Sequence, residues 1–552
     1  MWTISFVAVL LINFAERLEA TGGKSYSVYS PSCHMLDPDP FDESIAKFVE
    51  KREPTSCASK PPLTSVSEVS RSHTLHLHRE NFHHYSPEGD SIWCVYDLIR
   101  RYKDNAKEPN FIMDTNYLNS STYGISYPLE RDVTFIDDTE FVKVDCFQSE
   151  YGKIKLIYVN MHAFIGFKEE VGRKISFNIE NQSKIGKMGV MIIGFDSMSR
   201  SSLRRNMPNT VQLLKMMGWY SLEGYNKIED NTFPNLIAIL SGKSIQQLID
   251  TCWPSQYVFL DQCPFIWKNF SNKDYITAYA EDNSGVSTFN CLKRGFSESP
   301  TDYYLRPFVL AADELVRNGS CVGPIKAAHH IFNYSIDFAR CFQNQPTFSL
   351  FWLNSFSHND ANEPSTMDDE VVSYFKRLAD SGIFKTTMVI FLSDHGLRTG
   401  LIRETYVGHV EDRQPFIYLW VPESFKIDNP EKISSLERNT YKLTSPYDVH
   451  LTLVDVLGEN STAEGCPGCQ SLFEPVPWNR SCLDAGITEH WCACNEYEDV
   501  LVDFRTQWVQ DLAKAVVDQI NYHIIGSIKV CVKLNLKSDT FGETENIRAV
   551  PK

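Results

Sequence analysis

VMIIGFDSMSR, residues 190–200, holds six apolar residues that run without interruption into Asp196. An unbroken apolar run of that length, followed by small polar residues, is the pattern of a strand covered on both faces. TMVIFL at 387–392 repeats it and runs into Ser393-Asp394-His395-Gly396. TFSLFWL at 347–353 and PFIYLWV at 415–421 are further runs of this kind. Between them lie amphipathic stretches such as DEVVSYFKRLADSG at 369–382, with apolar positions at helical spacing before a glycine. This alternation predicts an α/β fold, a mostly parallel sheet with helices on both faces. Ligands of such sheets gather at the carboxyl ends of the strands, where Asp196 and Asp394 both stand.

NTFPNLIAILSG, residues 231–242, lies between the two carboxylates in sequence. Thr232 suits the N-cap of a helix with Phe233-Pro234 in its first turn. Read structurally, it caps and does nothing else. Read functionally, it presents a hydroxyl where a helix N-terminus attracts anions, and a coordinated cation would activate it. Asp196 has a similar pair of readings, as a cap of the next helix or as a ligand. Asp394-His395, a carboxylate beside an imidazole and closed by a glycine, makes a good metal half-site. His358, in NSFSHND, and His409, in GHVE, stand near other strand ends as further candidate ligands. Lys227 and Lys243 flank the threonine segment and read as solvated surface lysines, with contact to a substrate anion as the alternative.

With 552 residues and 43% hydrophobic content, the chain is long enough for two or three folded units. A formal charge of −17 argues against nucleic acid as a partner. WTISFVAVLLINF at 2–14 is too short for a comfortable membrane span and fits a signal peptide over residues 1–20. An uncleaved anchor is the alternative, because the leader has no charged start. Fifteen cysteines and seven N-x-S/T sequons, at Asn119, Asn181, Asn269, Asn318, Asn333, Asn460 and Asn479, point to a secreted or lumenal glycoprotein. Cys466-x-x-Cys469 lacks the second closely spaced pair that zinc would need, so the cysteines read as mostly disulfides with one left over.

Residues 24–187 read as a separate, mainly β domain with a solvated histidine cluster at His73, His76, His78, His83 and His84. Residues 188–458 carry the strand-helix alternation. Residues 459–552 form a cysteine-rich C-terminal region that includes a helical stretch at 497–519 and an alternating strand at 528–536.

The order DSMSR, NTFPNLIAILSG, SFSHND, SDHG, GHVEDRQPF and SPYDVHLTLVDVLG resembles the alkaline phosphatase and sulfatase superfamily. Within it the chain most resembles the DUF229 sulfatase-like group common in nematodes and insects. The T-F-P-N segment is similar to nucleotide pyrophosphatase/phosphodiesterases, whose threonine nucleophile lies between two zinc ions. The resemblance implies that Asp196, Thr232, Asp394 and His395 hold one metal. It also implies that His358 and His409 hold a second, with the residue four positions before His358. That position is aspartate in the phosphodiesterases and Asn354 here, a neutral and weaker ligand, so zinc at the second site has calcium and magnesium as alternatives. The formylglycine motif of sulfatases is missing: CWPSQ at 252–256 lacks its arginine. The expectation is therefore a metal-dependent phosphoric-ester hydrolase or phosphoryl transferase with Thr232 as nucleophile. Its substrate would be a phosphoester-containing small molecule, lipid or glycan. A catalytically inactive sulfatase-like glycoprotein and a phosphoethanolamine-type transferase are the alternatives.

Overall fold

The computed structural model describes residues 25–549 except 70–71, 87–90, 102–113, 115, 151, 182–186, 318–319, 496–497, 502–505, 525–531 and 536–545. The leader at 1–20 lies outside the described residues, as does Asn318. Residues up to Cys494 form one compact unit and those from Asn495 a second.

The core of the first unit is a seven-stranded sheet. Its strands are β1 (Gly189–Phe195), β2 (Tyr220–Ser221), β3 (Ile276–Glu281), β4 (Tyr303–Tyr304), β5 (Thr347–Leu353), β6 (Thr387–Leu392) and β7 (Ile417–Trp420). They lie in the order β2-β7-β6-β1-β5-β3-β4. From β6 to β4 every pairing is parallel. β7 runs antiparallel to β6, an exception to the parallel expectation for PFIYLWV. β1 is fully buried because its side chains alternate between two cores. Met191, Ile193 and Phe195 enter one, and Val190 and Ile192 the other. Each such side chain removed from water contributes about 1.5–3 kcal/mol, which favours the uninterrupted apolar run.

Helices cover both faces. α1 (Arg200–Asn206), α3 (Ala327–Cys341) and α4 (Asp368–Asp380) send Leu203, Phe332 and Phe375 into the first core. α2 (Thr232–Ser241) and α6 (Pro446–Val456) send Leu236 and Leu453 into the second. α5 (Tyr406–Arg413) lies between β6 and β7 in sequence. The fold is thus α/β, as the strand-helix alternation predicts.

N-terminal to it are small antiparallel sheets, one built on Ile92–Arg101, Phe141–Glu150 and Lys153–Ala163. The histidine stretch is a strand, Ser72–Leu77, followed by a 3-10 helix, Arg79–His84. His73 is buried with Nε2 2.7 Å from the Ile165 carbonyl, while His76 pairs with Asp132 at 2.6 Å.

Twelve cysteines form six disulfides: Cys33–Cys494, Cys57–Cys321, Cys94–Cys146, Cys252–Cys263, Cys466–Cys469 and Cys482–Cys492. Cys291 and Cys341 are outside disulfides, so two described cysteines are left over and not one. Six bridges point to an oxidising compartment. Among the described residues no helix is long and apolar enough to cross a membrane.

In the second unit the helix runs Gln507–Ile524, later than 497–519. Glu498–Leu501 pairs instead with Asn546–Ala549 as a two-stranded sheet. Of the strand expected at 528–536, the described residues 532–535 carry no strand.

Candidate active site

The parallel strands end in one polar row. Phe195 pairs with Leu353 and Gly194 with Leu392, so the next residues of β1, β5 and β6 lie side by side: Asp196, Asn354 and Ser393-Asp394. β3 adds Glu281, opposite Trp352, and then Asp282.

Asp196, Asp394 and His395 are each fully buried, and one ligand atom from each lies within 4.8 Å of the others. His395 Nε2 is 3.0 Å from Asp394 Oδ2 and 3.8 Å from Asp196 Oδ1. The His395 Nδ1 contact, 2.7 Å to the Gly396 carbonyl, requires that nitrogen to be the N–H donor. Nε2 is therefore the nitrogen left for a cation or a second proton. Gly396 itself has no room for a side chain: a Cβ would lie 2.3 Å from the Glu411 carbonyl oxygen.

The electrostatics follow from burial. Loss of solvent, with the charge of Asp394 beside it, pushes Asp196 above the usual carboxylate range. Burial also disfavours the charge of Asp394, but His395, Thr232 and the Ser197 N–H outweigh it and hold Asp394 low. Burial works against a charged His395, yet the two carboxylates outweigh it and raise the imidazole. Asp394 Oδ2 and His395 Nε2 face each other as an ion pair and have no hydrogen-bond partner beyond that contact. Two buried carboxylates and an imidazole with its outer nitrogen tied to a carbonyl, their inner atoms converging, fit a divalent cation.

Thr232 stands over this group. It is not the cap of α2: Asn231 is, its side chain accepting from the Phe233 N–H at 3.2 Å. Two adjacent residues both suit a cap, and the one before the helix took the position. The Thr232 hydroxyl is thereby released and donates to Asp196 Oδ2 at 3.3 Å. The helix mouth is also a poorer anion site than its sequence suggests. The Phe233 N–H is spent on Asn231, and Pro234 has none.

Asp196 does not cap α1 either; Ser199 does, accepting from the Ser202 N–H at 2.8 Å. The turn between them is strained. Ser197 has φ +61°, a left-handed conformation that costs a non-glycine residue about 1–3 kcal/mol. It is held there by Ser197 N–H to Asp394 Oδ1 at 3.1 Å and Met198 N–H to Ser393 Oγ at 2.9 Å.

His358 is half-buried, with Nδ1 2.7 Å from Asn359 Oδ1, and its charge acts on Asp196. It is near the group but not in the tight trio. His409 lies on α5, where its carbonyl accepts from Arg413 Nη1 at 3.1 Å. Asn354 is buried and donates from Nδ2 to Glu281 Oε2 at 3.2 Å. Glu281 and Asp282 were not singled out from the sequence, though ITAYAED at 276–282 carries the signal used for β1 and β6, an apolar run ending on a carboxylate. Burial pushes Glu281 up to about 7.

The two lysines are not solvated. Lys227 is wholly buried with Nζ 2.7 Å from Asp412 Oδ1 and 4.2 Å from the centre of the Trp491 ring. Lys243 is buried with Nζ 2.5 Å from Glu464 Oε2. Partners distant in sequence, Asp412 and Glu464, make the burial affordable.

No curated protein matches the sequence. Solved structures similar to the chain include the lipoteichoic acid synthase LtaP from Listeria monocytogenes, at 14% identity and TM-score 0.35, covering 57% of this chain and 78% of that one. A protein in the alkaline phosphatase superfamily from Vibrio parahaemolyticus is similar at 14% identity and TM-score 0.38, covering 53% and 71%. The phosphonate monoester hydrolase SpPMH from Silicibacter pomeroyi is similar at 9% identity and TM-score 0.38, covering 59% and 82%. The family described as "Protein of unknown function (DUF229)" matches residues 50–540, nearly the whole chain, and the protein belongs to that family.

Proposed function

We propose that the protein is a secreted or lumenal, metal-dependent phosphoric-ester hydrolase or phosphoryl transferase with Thr232 as its nucleophile. The observation that supports this most is the buried trio Asp196, Asp394 and His395 lying against the released Thr232 hydroxyl. Asp196, Asp394, His395 and the Thr232 oxygen would hold one divalent cation, with His358, His409 and Asn354 as the candidates for a second. Such a cation, when bound, lowers the hydroxyl pKa and offsets charge on the phosphoryl oxygens.

The residues do the rest. Asp196 accepts the Thr232 hydroxyl at Oδ2, orients Oγ1 and is placed to take its proton. Oγ1 bonds to phosphorus as the ester oxygen opposite leaves with its electron pair, giving a phospho-threonine. Water, or the hydroxyl of an acceptor in a transferase, then displaces Oγ1 in line; Oγ1 takes its proton back from Asp196, and the proton of the incoming hydroxyl passes to solvent, which restores Thr232. Hydrolysis and transfer, including phosphoethanolamine transfer, share these steps and differ only in the second nucleophile.

The test is turnover of an aryl phosphodiester and an aryl phosphomonoester by protein supplied with Zn²⁺. Thr232→Ala is expected to cut kcat by about three orders of magnitude or more while the fold and metal content persist. Wild-type activity in that variant would remove Thr232 from the mechanism. Asn354, a neutral residue in the carboxylate row, favours one other reading, an inactive binding glycoprotein. Less than one metal per chain together with no turnover of either ester would select it.

A further inference from the structure

Asn354 and Glu281 are both buried, at 1% and 7% exposure, on neighbouring strand ends. An amide side chain has one donor end and one acceptor end, and the neighbours decide which way it faces. Glu281 already accepts from the Thr288 N–H, 2.9 Å from Oε1 and 3.1 Å from Oε2, and from the Tyr279 hydroxyl. It is an acceptor surrounded by donors, so Asn354 turns Nδ2 to it at 3.2 Å. The two polar atoms of an amide diverge, so Oδ1 is turned away from β3. That oxygen has no hydrogen-bond partner.

A buried carbonyl oxygen left unpaired costs about 1–3 kcal/mol unless something satisfies it. Ser357 Oγ, in the turn that Asn354 begins, is buried and without a hydrogen-bond partner too. Two oxygens of one turn thus lack hydrogen-bond partners, with His358 next in sequence and Asp196 at the end of the adjacent strand.

We propose that Glu281 is a positioning residue: it locks the Asn354 amide with its carbonyl oxygen outward, as a neutral oxygen donor for a second divalent cation beside the Asp196 site. This rests on the cation-dependent reading above, and the test separates the two. Metal-free full-length protein is titrated calorimetrically with Zn²⁺, Mn²⁺ and Ca²⁺, which needs no turnover. Wild type is expected to bind two equivalents of at least one of these ions, one tighter than the other. Glu281→Gln is isosteric, but its amide N–H₂ faces Asn354 and calls the carbonyl oxygen inward. It is expected to weaken the looser equivalent at least tenfold and leave the tighter one unchanged.

In the Asn354→Asp background there is no amide to flip, and Glu281 repels the new carboxylate. There Glu281→Gln is expected to strengthen the looser equivalent, reversing its sign. A decrease in both backgrounds would mean that Glu281 acts only by supporting the fold and would overturn the proposal. So would a looser equivalent that survives Asn354→Ala, a variant that keeps Glu281 in place. One equivalent alone in wild type sinks this inference and spares the phosphoester reading, whereas none for any ion sinks both.

Discussion

Lys227 and Asp412 show what a single buried charge demands of its neighbours. Burial lowers Lys227 to about 8, with Asp412 opposing the shift, so the pair is held by contact and not by solvent. Asp412 also meets Arg403 at 3.1 Å and Arg413 at 3.3 Å. Asp412→Asn removes the counter-charge that Lys227 shares with both arginines and is expected to cost about 3–5 kcal/mol, read from denaturant midpoints. Lys227→Met leaves Asp412 with two cations and should cost distinctly less. Equal losses would show that the arginines do not serve Asp412. In the candidate site the residue that matters in a different way is Asp394. Asp394→Ala removes a ligand and not the attacking group, so dialysed protein is expected to lose its bound metal, whereas Thr232→Ala retains it. Metal analysis of the two variants side by side checks this.

α2 is anchored at the end away from Thr232 by α6. His450 Nδ1–H donates to the Ile239 carbonyl at 3.0 Å, and a Cβ on Gly242, at φ +66°, would lie 2.7 Å from the same imidazole. Burial pushes His450 down to about 4, so the folded protein keeps it neutral. The unfolded chain binds a proton near pH 6.5 and the folded one does not until about 4. The stability that His450 contributes is therefore complete above pH 6.5 and lost as pH falls through that window, at about 1.4 kcal/mol per unit. His450→Gln keeps a donor for Ile239 and has no proton to take up. Between pH 6.5 and 4.5 its unfolding free energy is expected to fall less steeply than wild type by that amount, and parallel pH profiles would refute this. Elements at this scale were the most legible part of the sequence. β5 and β6 match their apolar runs residue for residue, because strands buried on both faces admit no polar interruption. The trio of Asp196, Asp394 and His395 was legible for the same reason, since each carboxylate ends such a run. What was not legible depends on partners far away in sequence. Asn231 and Thr232 are equally good caps on paper. Lys227 looks solvated until Asp412 is folded against it. Glu281 carried a readable signal, and only its hydrogen bond to Asn354 gives that signal a meaning.

At the scale of the molecule, the first unit is closed by a covalent bond between its extremes. Cys33 joins Cys494 across 461 residues of sequence, and the His34 N–H donates to the Cys494 carbonyl at 3.0 Å. The same segment brings Asp37 to Arg200 at 3.1 Å and Arg204 at 2.9 Å, on the helix that follows Asp196. Burial would raise Asp37, but the two arginines outweigh it and hold the carboxyl below its usual range. Removing the bridge as Cys33→Ser with Cys494→Ser is expected to destabilise the first unit by about 2–5 kcal/mol, measured by chemical denaturation under oxidising conditions. An unchanged midpoint would mean that the ion pairs alone hold the segment. The bridge also sets an order on biosynthesis. At about 5–20 residues per second, Cys494 leaves the ribosome roughly 20–90 s after Cys33. Throughout that interval Cys33 is a nascent thiol beside several other emerging cysteines, and the Asp37 segment has no finished site to dock on. The N-terminal residues of the fold are thus among the last to take their places, and their correct pairing requires Cys33 to stay a thiol, or to be freed by exchange, until Cys494 has emerged.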